Sequence, residues 1–279
     1  MSDYSVVIPV FNNKEIIEDI FNRLLRLSEV CNDIIIVDDC STDNTLQLLV
    51  SFVTKFNLTD TINIYSNNKN MGPAHSRNVG IKLAKSDYIA FLDSDDDWHP
   101  QKIHCQILLM KELGADVSGT QHAVVSKAEF MQFSQTRVLS SNIDVVPITW
   151  PRVLFKSPFS TPSVVMRNGL GMYFDETLRF SEDFNLWIRL SKEFKVIRLD
   201  EPLTYTFKHD YLSTGGSLSS NLSAMQKGEL ANFFSLLAGR SLSFYERCTL
   251  LAAIVFSCFK FIRRLLLSII LKAKVWVKC

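Results

Sequence analysis

The sequence predicts an α/β fold on a doubly wound, mostly parallel sheet, and three observations carry that reading. Short β-branched runs alternate with helical patterns over the first 115 residues, one run is four aliphatics long, and acidic clusters fall where strands end. Ser5–Val10 is a short β-branched run fit for a buried strand. Glu15–Leu27 sets Ile16, Ile20, Leu24 and Leu27 at helical spacing. Ile34–Val37, all aliphatic, has the pattern of a parallel strand covered on both faces. Asp43 or Asn44 caps a helix to about Phe56; Ile62–Tyr65, Pro73–Lys85 and Tyr88–Leu92 then read as strand, helix and strand. Pro100–Leu113 follows as a helix, its proline expected in the first turn. Beyond residue 115 the rhythm loosens, and Glu182–Lys192 is the one clear amphipathic helix.

The composition narrows the function. Of 279 residues, 47% are apolar and 21% charged, enough for a full core and too greasy for wholesale disorder. The net charge of +1 excludes a uniformly basic nucleic-acid binder, and no nucleic-acid partner is expected. That balance hides an asymmetry: residues 1–246 carry 23 basic and 29 acidic groups, whereas 247–279 carry seven basic groups and none acidic. The six cysteines show no zinc spacing and are read as reduced thiols. The Ser5–Phe11 run is short and holds Pro9, so no signal peptide is expected. No apolar run reaches the roughly 18–20 residues of a membrane span.

In open α/β sheets, ligands bind beyond the carboxyl ends of the strands. There the sequence places Pro9-Val-Phe-Asn12, Asp38-Asp39 and Asp93-Ser-Asp95-Asp96-Asp97. Carboxylates so crowded repel one another, and a divalent cation is their natural counter-charge, since Mg²⁺ or Mn²⁺ takes one or two carboxylates plus phosphate oxygens and water. A dehydrogenase is excluded because the first turn lacks GxGxxG, and no GxxxxGK[ST] phosphate loop is present.

Val7-Ile-Pro9-Val-Phe-Asn12 and Ile36-Val-Asp38-Asp39-Cys-Ser41-Thr-Asp43 resemble the nucleotide-binding half of the family 2 inverting glycosyltransferases. Asn70-Met-Gly72, Arg77-Asn78-Val-Gly80, Phe91-Leu-Asp93-Ser-Asp95-Asp96-Asp97-Trp98 and Ser181-Glu182-Asp183 through Arg189 extend the resemblance in order, over roughly residues 4–210. It implies a GT-A domain. Residues 1–115 would form the nucleotide-sugar-binding half, 116–245 the acceptor-binding half, and 246–279 an added tail. Asp39 would accept a hydrogen bond from uracil, with Pro9 and Phe11 lining the base and Arg77 near uracil and the diphosphate. Asp93 and Asp95 resemble the DxD pair, Asp93 toward the ribose and Asp95 on a Mn²⁺ or Mg²⁺ ion. Asp183 matches the catalytic base, and its place at a helix start is expected to keep it ionised. Trp98 and Trp187 are expected to wall the sugar and acceptor pockets, Trp187 serving equally well as core.

Chemistry agrees with this assignment: a departing nucleoside diphosphate needs its growing charge neutralised, and the attacking hydroxyl needs a carboxylate to take its proton. One base in one displacement inverts the anomeric centre. Asn185 stands where the family often has Asp, Cys40 and Ser76 are lesser departures, and the lack of a QxxRW block favours single-sugar transfer over polymer synthesis. His209 reads equally as a metal or phosphate contact and as a surface histidine. A nucleotidyltransferase or a non-catalytic nucleotide-sugar-binding scaffold is the alternative. The first would want a Gly/Arg-rich loop after strand one, and the second would be expected to have lost an Asp that is present.

In the tail, Lys260, Arg263, Arg264, Lys272, Lys274 and Lys278 interrupt an otherwise Leu/Ile/Phe/Val pattern. At about 100° per residue, five of these six fall within an arc of about 100°. A basic stripe on a greasy helix suits the interface of an anionic membrane. The sequence therefore leads to the expectation of a cytoplasmic protein, peripheral on the inner face of the membrane. It would move one hexose, glucose or galactose favoured, from a UDP-sugar to an undecaprenyl-diphosphate-linked saccharide in O-antigen or related polysaccharide synthesis.

Overall fold

The parallel strands read from the sequence form one half of a single curled sheet. The computed structural model describes residues 3–136, 143–207, 221–238 and 242–276. Strand β1 (Tyr4–Val10) leads through a 3₁₀ turn into α1 (Ile17–Ser28), then β2 (Ile34–Asp38), α2 (Thr45–Lys55), β3 (Ile62–Ser66), α3 (Pro73–Leu83) and β4 (Tyr88–Phe91). β2 and β4 flank β1 in parallel, with Val7 between Ile35 and Phe91, and β3 lies outside β2. The carboxyl ends of β1, β2 and β4 therefore open at one edge.

The alternation of side chains across the sheet explains the aliphatic runs. Val6, Ile8, Ile34 and Ile36 enter the core under α1, α2 and α4 (Lys102–Leu113), while Val7, Ile35 and Val37 enter a second core on the other face. On that second face α3 lies directly against β1: a Cβ on Gly80 would sit 2.2 Å from Val7 Cγ1, so only glycine fits there. Asp43 supplies the expected cap of α2, accepting from the Thr45 N–H, while Asn44 takes a left-handed φ of 70°. Pro100 falls before the helix instead of in its first turn, because α4 begins after Gln101.

The second half extends the sheet in mixed direction. β5 (Asp96–Trp98), which the sequence placed only as the run beyond the fourth strand, pairs antiparallel with the long strand β9 (Val196–Phe207). Between them in the chain come β6 (Val117–Val125), α5 (Lys127–Thr136), β7 (Val145–Ile148), α6 (Trp150–Val153), β8 (Val165–Arg167) and α7 (Glu182–Glu193). Among the described residues the order is β3-β2-β1-β4-β8-β6-β9-β5, with β7 also on β9. The cysteines at 31, 40, 105, 248 and 258 are free thiols.

Helices α8 (Leu222–Ala238) and α9 (Phe244–Trp276) close the second face. Leu250, Ala253 and Ser257 of α9 are buried, and Phe256 meets Phe155 edge-on at 5.8 Å. The opposite side of α9 is bare: Phe244, Leu251, Val255, Phe259, Ile262 and Leu266 are all exposed, Val255 by 70%. Lys260, expected on a headgroup-facing stripe, instead turns to the body, donating to Glu229 at 3.1 Å and to the Phe155 carbonyl at 3.3 Å. Arg263 and Arg264 are exposed, and the side chains of Lys272, Lys274 and Lys278 lie outside the described residues, as does His209. No helix among the described residues is long and apolar enough to cross a membrane.

Candidate active site

A cleft of about 650 Å³ opens at the carboxyl edge of β1, β2 and β4. Pro9, Phe11, Asp39, Arg77, Asp93 and Asp95 all line it from the first half of the chain, joined by Glu176, Arg179 and Glu182 from the segment entering α7. Phe11 is 44% exposed, which leaves an aromatic face free at the rim.

Asp39 is buried and shapes the cleft wall. Its carboxylate accepts from Asn67 Nδ2 at 2.8 Å, the Met71 N–H at 2.9 Å and the Gly72 N–H at 2.7 Å. These bonds fix the chain before α3, where Gly72 takes φ +87°, a conformation that favours glycine. The second turn of α3 then carries Arg77 to the cleft.

Arg77 is the hub of the site's charges. Its Nη2 donates to Asp93 Oδ1 at 2.7 Å, its Nη1 lies 3.4 Å from Glu182 Oε1, and its guanidinium stacks over Phe174 at 5.4 Å. Burial works against this cation, but Asp93, Glu182 and Asp183 outweigh it and raise its pKa. One arginine thus joins the acidic cluster after β4 to the carboxylates that open α7.

The cluster after β4 is compensated largely by the protein itself. Asp97 accepts from Arg26 Nη2 at 2.5 Å with Arg23 at 3.6 Å, and Arg23 also donates to the Ser94 carbonyl at 2.8 Å. Asp96 accepts from the Thr206 hydroxyl, yet burial and the charges of Asp93 and Asp95 push its pKa up to about 8. The field around Asp93 and Asp95 therefore stays negative even with Arg77 in place, which suits a cation. Among the described residues, no three His, Cys, Asp or Glu side chains form an ion cage. An ion there would rest on Asp93 and Asp95 with a ligand's oxygens and water, the habit of Mg²⁺-type sites.

Asp183 sits in the first turn of α7 and its Oδ1 accepts from the Phe184 N–H at 2.6 Å. At this helix start burial raises its pKa, outweighing the Phe184 N–H and Arg77, which lower it. Glu182 is likewise raised, first by burial and then by Asp183. Trp98 and Trp187 are core residues and do not line the cleft. Trp98 is buried with Nε1 bonded to the Pro162 carbonyl at 2.7 Å, and Trp187 packs between Phe159 and Phe174.

Sequence reasoning missed several participants. Glu176 and Arg179 lie in an irregular stretch with no pattern to place them. Arg23 left a signal, since it falls on the apolar face of α1 beside Ile20 and Leu24, where an unpaired charge would be costly.

A nucleotide-type cleft at the carboxyl edge of a parallel sheet, closed by an acidic cluster and a carboxylate helix, defines the GT-A class of α/β proteins. The model of Glycosyl transferase family 2 matches residues 5–168, and the chain belongs to that family. It is 32% identical over 203 residues to an uncharacterized glycosyltransferase, RC0461, of Rickettsia conorii, covering 72% of this chain and 32% of that protein. It is 28% identical over 209 residues to the amylovoran biosynthesis glycosyltransferase AmsB of Erwinia amylovora, covering 72% of this chain and 68% of the relative. The chain thus spans about a third of the Rickettsia relative it matches. In fold it resembles S. aureus TarS 1-349 in complex with UDP-GlcNAc, with a TM-score of 0.65 at 22% identity, covering 94% of this chain and 73% of that one.

Proposed function

We propose that this protein transfers a single hexose, glucose or galactose, from a UDP-sugar to a saccharide carried on undecaprenyl diphosphate, with inversion at the anomeric carbon. The observation that carries the reading is the convergence of Phe11, Asp39, Arg77, Asp93 and Asp95 with Glu182 in one cleft. Pro9 and Phe11 take the uracil ring and Asp39 accepts from its N–H. Arg77 holds Asp93 toward the ribose and screens the carboxylates from the diphosphate. Asp93 and Asp95 would hold Mn²⁺ or Mg²⁺, which supplies Lewis-acid stabilisation of the leaving diphosphate when bound. Asp183 takes the proton from the attacking acceptor hydroxyl. Its raised pKa brings a carboxylate closer to the working range of a general base.

The acceptor half of the proposal rests on α9. Exposed apolar residues at 251, 255, 259, 262 and 266 share one face, and from Phe244 to Leu266 that face runs about 33 Å at 1.5 Å per residue. With Arg263 at its edge and no acidic residue after Glu246, this face fits an anionic bilayer on the cytoplasmic side, where lipid-linked acceptors reside. The test is a donor screen: each UDP-sugar, Mn²⁺ and a lipid-diphosphate-GlcNAc acceptor, with UDP release and product anomer as readouts. Release of UDP with a β-linked product from an α-linked donor is expected. Turnover with no UDP-sugar, or product of retained configuration, would overturn the reading.

A further inference from the structure

Asp183 depends on how the N-terminus of α7 is held, and the structure holds it from α8. Ser181, the residue before α7, adopts φ 60° and ψ 26°, a left-handed conformation that a side chain disfavours and that persists only when neighbours impose it. Three contacts from α8 impose it. Asn232, 1% exposed, donates from Nδ2 to the Ser181 carbonyl at 3.0 Å, the same carbonyl that accepts the Asn185 N–H at 3.0 Å. Ser181 Oγ donates to the Met225 carbonyl at 3.4 Å. Gly228 lets the α8 backbone close on the preceding residue: a Cβ there would lie 2.5 Å from the Phe180 carbonyl oxygen.

The hydrogen bonds run in one direction. Arg189 Nε donates to Asn185 Oδ1 at 2.9 Å, which leaves the Asn185 amide to donate to Asn232 Oδ1 at 3.1 Å. Asn232 then has only its own amide for Ser181. Because a guanidinium only donates and a backbone carbonyl only accepts, both asparagines are fixed in orientation. An aspartate at 185 has no N–H to offer Asn232. The asparagine at 185 and the asparagine at 232 therefore work as a matched pair.

We propose that Asn232 is a positioning residue for the carboxylates Glu182 and Asp183, acting through the Ser181 carbonyl and paired with Asn185. The functional part rests on the reading of Asp183 as the base; the positioning does not. The experiment compares full-length wild type, Asn232→Ala and the isosteric Asn185→Asp by hydrogen exchange, UDP calorimetry and UDP-glucose turnover with Mn²⁺. Amide exchange in residues 177–186 is expected to rise by about tenfold in both variants, as when a hydrogen bond is lost, with β1 and β2 unchanged. Turnover should fall by about 10²-fold, the scale of a 1 Å misplacement, with UDP affinity and KM for UDP-glucose held. Unchanged exchange at 177–186 in both variants overturns the proposal. So does a rise spread over the whole chain with UDP affinity lost in step, which would make Asn232 only a packing residue. A wild-type protein that binds no UDP sinks the sugar-transfer reading, and the exchange data still decide the positioning.

Discussion

Replacing Arg77 by methionine removes the cation that joins the two carboxylate groups while keeping an apolar stem against Phe174. Asp93 then loses a 2.7 Å partner and Glu182 a 3.4 Å partner. Taking one member from a buried pair costs about 3–5 kcal/mol. The Asp93 side chain is 26% exposed and that of Glu182 12%, so water screens part of the loss and the low end, about 3 kcal/mol, applies. At about 2–4 °C per kcal/mol for a chain of this size, Tm at pH 7 should fall by about 6–12 °C. The pH dependence has a definite sign. Burial already raises Glu182 and Asp183 above their ordinary values, and Arg77 is what opposes the rise. Without Arg77 both move higher, and a carboxyl raised on folding stabilises at low pH and loses that stability as pH climbs through its folded value. The gap between variant and wild type should therefore be small near pH 4 and widen toward pH 7, as scanning calorimetry on the donor-free protein would read. A variant melting within about 2 °C of wild type at pH 7, or a gap widening toward acid, would refute the hub role.

Asp183→Asn should cut sugar transfer by at least ~10²-fold with UDP affinity held, as isothermal titration and UDP release would show; wild-type activity should also fall on the acid side above the ordinary aspartate range, because the base must be ionised. EDTA should abolish transfer and Mn²⁺ or Mg²⁺ restore it, and Asp95→Ala should behave like the chelated enzyme in the same assay. Serine at Val255, Phe259, Ile262 and Leu266 together should release the protein from anionic vesicles in flotation while the buried side of α9 keeps its packing; unaltered flotation would place membrane contact elsewhere.

What was legible in the sequence was what local pattern dictates. The strands from Tyr4 to Phe91 are visible because each is a β-branched run flanked by polar turns, and because alternate side chains enter two separate cores, both faces must be apolar. Asp39, Asp93 and Asp95 were placed on one edge by the parallel order alone, whereas Arg77, on a helix, came only from the family resemblance. β5 was not legible, since Asp96-Asp97-Trp98 has no strand pattern. It is a strand because β9 supplies its hydrogen bonds and because Arg23, Arg26 and Thr206 compensate its carboxylates, partners drawn from both ends of the chain. The same distance hid the burial of Asp183, which raises its pKa and is set by tertiary packing that a helix-terminus argument leaves out.

On the amphipathic tail the periodicity left open which face meets the protein, and Lys260, one member of the basic stripe, meets it. A helical wheel fixes which residues share a face but not which face meets the protein, and on α9 that choice is made by three small or polar contacts. Ala253 and Ser257 are small enough to let the helix lie close, and Lys260 finds Glu229 on α8. With that lysine engaged, the face left exposed is the apolar one opposite, from Phe244 to Leu266. The face that docks α9 is also the one that steadies α8, through Gln226 Nε2 to Ser257 Oγ at 3.0 Å as well as Glu229 to Lys260. Since α8 in turn carries Gly228 and Asn232 against Phe180 and Ser181, the tail helix is continuous in packing with the turn that presents Asp183.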